Sequence, residues 1–146
     1  MTAYFKTANS AGNPVYDQLA ALMALFNSGT LVIYASGGTP PIDPDVGFSG
    51  QTTLATFTFS ATAFTQAAAT GSFPNKTKVA TASFSASTVT AAASGTADSF
   101  GLYSSTPTLL ATGTVGTSGA DINFNSVAFS SGANITLSSF TLTMPE

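Results

Sequence analysis

The chain has 146 residues and a net charge of −3. It is 44% apolar and only 6% charged, with no cysteine, histidine or tryptophan, and its three basic residues are all lysines, Lys6, Lys76 and Lys78. These absences exclude disulfides, thiolate or imidazole metal sites, Ser-His-Asp and Cys-His catalysis, and arginine clamps on phosphate; three lysines are also too few for nucleic-acid binding.

In chain order, Met1–Ser10 has one lysine and no apolar core of the kind a secretory signal needs. Residues 1–12 read as an N-terminal arm and residues 13–146 as a single β-rich domain. A helix is expected over Pro14–Asn27. Asn13 is its N-cap, Pro14 occupies the first helical position and Asp17 complements the dipole of the first turn. Val15, Leu19, Leu22, Met23 and Phe26 share one helical face, and Gly29 is the stop. A short helix buries such a stripe only by packing on a sheet. Its apolar run, Leu19–Phe26, is too short to span a bilayer.

The remainder reads as strands: Leu31–Ala35, apolar enough to be buried on both faces; Thr53–Ser60; Val79–Ser85; Ser99–Tyr103; Leu109–Val115; Asp121–Val127; and Ile135–Met144, whose alternation shifts phase at Ser139. Gly37-Gly38 opens a long loop through Pro40, Pro41 and Pro44 to Gly50, and turns are expected at Phe73–Lys76, Gly116–Gly119 and Ser130–Gly132. The fold class is mainly β: an antiparallel β-sandwich or jelly-roll-like barrel with one N-terminal α-helix packed on a sheet.

Chemistry-bearing motifs are sparse. Asp43-Pro44-Asp45 followed by Gly47 resembles part of a calcium loop, but Pro44 stiffens it and no closing glutamate follows, so it reads as two acids on a solvated loop. Asp121-Ile122-Asn123-Phe124-Asn125 matches the opening of an EF-hand, yet Ser126 and Gly132 stand where glycine and glutamate belong. An alternating strand with its polar face outward accounts for it. Lys76-Thr77-Lys78 reads as a basic spot that solubilises a turn. The abundant hydroxyls have no imidazole to activate them; no enzymatic activity, cofactor or metal is expected. Threonine (24), alanine (24) and serine (19) dominate the composition. Short side chains lose little rotamer entropy when buried against a partner, so a charge-poor surface of this kind suits close packing in an assembly.

The stretches Ala20–Tyr34, Leu54–Phe64 and Val115–Asn125 and the ending Ser139–Glu146 resemble a family of small virion proteins of tailed bacteriophages and prophages. That resemblance implies a virion structural component. The expectation is a capsid decoration (cement) protein, made in the bacterial cytoplasm and bound on the outer surface of the head between major capsid subunits. Its expected partners are the major capsid protein and copies of itself, as a homotrimer, with no nucleic acid and no membrane. Tail, neck or fibre placement is the alternative within the virion; a carbohydrate- or receptor-binding module, with Tyr4, Tyr16, Tyr34 and Tyr103 stacking on sugars, is the alternative outside it. The expected interface residues are Tyr4 and Phe5 on the arm, Ile42 and Phe48 on the long loop, and Phe73, since apolar anchors on irregular segments reach a neighbour.

Overall fold

In the computed structural model, residues 20–37, 43–67 and 77–145 are described. Leu31, Val32, Ile33 and Tyr34 are all buried, so β1 (Thr30–Ala35) is covered on both faces and lies in the middle of a sheet. Antiparallel to it on one side runs β2 (Thr52–Gln66), then β3 (Thr77–Phe84) and β11 (Thr141–Pro145). On its other side come β6 (Ser99–Tyr103), β7 (Leu109–Gly116) and the short β8 (Ile122–Asn123), which ends the seven-stranded sheet. All these pairings are antiparallel except β7–β8, which is parallel. The protein is mainly β, and its curled sheet is of the sandwich or barrel kind.

Phenylalanines line the inside of the curl. Phe26 touches Phe59 and Phe64 at centroid distances of 6.2 and 5.7 Å. Phe140, just before β11, meets Phe64 on β2 and Phe100 on β6 at 6.2 and 5.7 Å. Rings from both flanks of the sheet thus converge, which a flat sheet does not allow. The open side is covered by a two-stranded ribbon made of two ladders, β4 (Thr88–Thr90) with β10 (Asn134–Thr136) and β5 (Gly95–Thr96) with β9 (Ala128–Phe129). It is tied to the sheet where Ala92 N–H donates to the Leu54 carbonyl at 2.8 Å.

β2 is the long strand that makes the curl. Between Phe59 and Phe64 its register against β3 slips: five steps along β2 answer two along β3, from Phe84 to Ala82. Such a bulge bends a strand and orphans backbone groups. The end of the helix supplies their partners. Asn27 Oδ1 accepts from the Ala63 N–H at 2.9 Å, and Ser28 N–H donates to the Ser60 carbonyl at 3.1 Å. The described part of the helix covers residues 20–24 and closes in a tight turn through Asn27. That geometry corrects the expected stripe. Met23 and Phe26 pack on the core, but Leu22 is 37% exposed, because the turn aims Phe26 and Asn27 into the β2 bulge and leaves Leu22 and Leu25 outward. Val15 and Leu19 lie outside the described residues.

The stop also differs in detail. Ser28 is the left-handed residue, at φ 56°. Gly29 is needed for room: a Cβ there would strike the Tyr103 carbonyl of β6.

Candidate functional site

Of the expected interface residues, Tyr4, Phe5, Ile42 and Phe73 lie outside the described residues. Phe48 is half-buried: it stacks on Tyr34 with centroids 4.1 Å apart and planes 19° from parallel. The Tyr34 hydroxyl shares a 2.7 Å hydrogen bond with the Tyr103 hydroxyl. Gly101, between them on β6, provides the flat bed: a Cβ there would lie 2.9 Å from the Phe48 ring and 3.0 Å from Tyr103. Burial pushes the Tyr34 phenol well above its ordinary value near 10, and the bond to Tyr103 pushes it further. Tyr34 is only 8% exposed and spends its hydroxyl on Tyr103, so it cannot stack on a sugar.

The acidic motifs are turned inward on the chain's own backbone. Asp43 Oδ1 accepts from the Asp45 N–H at 2.9 Å, and the Asp43 carbonyl accepts from Val46, which makes a turn. Asp98 holds the end of β1: its Oδ1 accepts from the Ser36 N–H, the Ser36 hydroxyl and the Ser99 hydroxyl at 2.8–2.9 Å. Asp121 Oδ2 accepts from both the Thr114 N–H and the Thr114 hydroxyl at 2.9 Å. Asn123 bonds Ala120 twice, accepting from its N–H and donating to its carbonyl.

These contacts explain the D-x-N pattern. β8 runs parallel to β7 although only five residues separate the two strands. Parallel neighbours ordinarily need a crossover of about a dozen residues. Here the chain reverses twice within residues 117–121, with Gly119 at φ 70°, and Asp121 and Asn123 clasp the two reversals. The expected strand Asp121–Val127 is accordingly cut to Ile122–Asn123 and resumes as β9. Among the described residues no three His, Cys, Asp or Glu side chains gather into a metal-binding group. The expected basic spot is also altered: Lys78 is fully buried on β3, on the face shared with Ala80, so it adds nothing to surface charge.

The same double reversal raises one wall of an open cleft of about 360 Å³. Its second wall is the segment between β10 and β11, residues 137–140, so the cleft runs along the seam where the curled sheet stays open. Ile122, Leu137 and Phe140 are buried at its base, and Asp121, Asn125, Ser138 and Ser139 are exposed along its rim. A second cleft of about 370 Å³ adjoins it across Phe124, Asn125 and Thr136 and continues toward Phe129. Sequence reading missed this site, because its two walls, residues 121–125 and 136–141, are brought together only by the fold and not by any pattern along the chain. Among the described residues no helix is long and apolar enough to cross a membrane. The chain matches no protein-family model, no curated protein and no solved structure with which it was compared.

Proposed function

We propose that the chain is a virion structural protein of the capsid decoration type, which binds as a homotrimer between major capsid subunits on the outside of the head. The observation that carries this reading is the chemistry of the exposed sheet surface. Thr65 on β2, Thr81 on β3 and Thr141 on β11 stand directly opposite one another and are all exposed. Thr56 and Thr58, alternating with the buried Phe57 and Phe59, are exposed on the outer side of β2, and Thr88 and Thr136 join hydroxyls at 2.8 Å on the ribbon. A pleated face of short, β-branched, uncharged side chains loses little entropy on contact and carries no long-range repulsion, which favours repeated close packing. The likeness of Ala20–Tyr34 and Leu54–Phe64 to tailed-phage virion proteins supports the same reading.

The test is copy number in purified virions of the phage that encodes the chain, by quantitative staining against the major capsid protein. A ratio of one per capsid subunit, or a simple lattice fraction of it, is expected. A handful of copies overturns the decoration reading and moves the protein to the tail, neck or fibre; absence from particles overturns the virion reading altogether. Light scattering of the free protein is expected to give three times 14.6 kDa.

A further inference from the structure

We propose that β11 is a self-complementary edge, through which two copies of the chain join their sheets antiparallel about Leu142. The contact is separate from the three-fold one proposed above and does not depend on a capsid. Ala82 N–H donates to the Phe140 carbonyl at 2.8 Å, and the register sets Leu142 against Ala80 and Met144 against Lys78. Antiparallel ladders alternate, so Phe140, Leu142 and Met144 bond inward to β3, while Thr141 and Thr143 turn their N–H and C=O groups away from it. β3 agrees: Val79, which accepts from the Ala67 N–H at 2.9 Å, and Thr81 serve β2 instead. β11 ends the seven-stranded sheet, and among the described residues nothing pairs with the outward groups of Thr141 and Thr143.

An open edge invites another strand, and proteins ordinarily blunt it with charge, a bulge or proline. Residues 137–145 carry no charge, and β11 pairs with β3 without a register shift. The opposite end of the sheet, β8, has only two residues. Proline enters once, at Pro145, the next outward position, which has no N–H to give. The edge therefore offers the donors and acceptors of Thr141 and Thr143, and a second copy offers the same. Turned about Leu142, Thr141 meets the partner's Thr143 and Thr143 meets the partner's Thr141, so every one of these groups is paired. Pro145 then lies opposite the partner's Ser139, beyond the ladder. A register centred on Thr143 would instead set Pro145 against the partner's Thr141 and leave that carbonyl unmet. Leu142, half-buried against the core, meets its own copy on the inner side, and the outer row of Thr65, Thr81 and Thr141 continues across the joint. No like charges are brought opposite one another. Because the contact is two-fold, it closes at a pair.

The chain contains no cysteine, so a single introduced one reports the contact. A non-hydrogen-bonded antiparallel pair holds its Cα atoms about 4.5 Å apart, within reach of a disulfide. Under mild oxidant, Leu142→Cys is expected to form a two-chain disulfide about tenfold faster than Ser118→Cys at the exposed tip before β8. Adding Thr143→Pro, which removes no bond inside the chain, is expected to slow it to the Ser118→Cys rate. Hydrogen exchange of the wild type needs no variant. The Thr141 and Thr143 amides are expected to slow at least about twofold between about 10 μM and about 1 mM protein, while Leu142 stays protected throughout. A Leu142→Cys variant of native NMR dispersion that crosslinks no faster than Ser118→Cys, a rate unmoved by Thr143→Pro, or threonine amides indifferent to concentration would each overturn the proposal. So would amides already protected at the lowest concentration, which would put a segment of the same chain on the edge, and protection gained only on capsids, which would put a capsid strand there.

Discussion

Asn27 shows how much one side chain can carry. Its Oδ1 is the acceptor for the N–H of Ala63, a fully buried residue in the β2 bulge. Removing it strands a buried donor, and such a loss costs about 2 kcal/mol. Asn27→Ala is therefore expected to lower Tm by about 6 °C, read by circular dichroism, whereas Asn27→Asp keeps an acceptor and most of the stability. Tyr34 sets a pH limit of its own. An unfolded tyrosine ionises near pH 10, while burial and Tyr103 hold the folded Tyr34 protonated beyond that. Above pH 10 the folded state binds more protons than the unfolded state, so stability falls as pH rises. The contribution is complete below pH 10. Tyr34→Phe, less stable at pH 8 because Tyr103 loses its partner, is expected to close the gap with the wild type as pH climbs above 10. A gap of constant size in thermal melts across that range would show that the phenol is not shielded.

Elements were legible where burial alone decides them. Leu31–Ala35 reads as a doubly buried strand because apolar residues follow one another without polar alternation, and β1 lies where that requires. Ser99–Tyr103 and Leu109–Val115 fall within a residue of β6 and β7. Legibility fails where a strand changes partner. Ile135–Met144 splits because the chain leaves β4 after Thr136 and joins β3 at Thr141, and the phase shift at Ser139 is the trace of that move. β2 runs past Ser60 because Asn27, distant in sequence, satisfies its bulge. The seam cleft stayed invisible for a similar reason: alternation at Asp121–Asn125 is the same for a hairpin strand and for a strand placed parallel by a clasp. That clasp makes an element-scale prediction. Asp121→Ala removes the acceptor of Thr114 N–H and Oγ1, and at this exposed position costs only about 1 kcal/mol. Its larger effect is expected in hydrogen exchange, with faster exchange confined to 114–125 while β1 and β6 keep their protection.

At the scale of the whole molecule, the surface has little charge with which to act at a distance. Its exposed charges among the described residues are three carboxylates, and Lys78 is withdrawn into the interior. An association built on threonine faces rests on contact area rather than on ion pairs, so salt screening has little to weaken. If the protein decorates capsids as proposed, its occupancy is expected to change less than twofold between about 50 mM and about 1 M NaCl, measured by sedimentation of decorated particles. A steep loss with salt would point to an interface made by the lysines Lys6 and Lys76 instead.

The double reversal between β7 and β8 has one more consequence, for what the chain can be made to carry. Its clasp lies at Thr114, Ala120, Asp121 and Asn123, behind the exposed tip Thr117-Ser118-Gly119. Lengthening a loop whose base is already fastened costs only about 0.6 kcal/mol per doubling. The tip is thus a natural insertion point, where a foreign epitope between Ser118 and Gly119 would project from the molecule without loosening the strands that flank it. If the particle presents the protein in regular array, it would present the passenger in the same array.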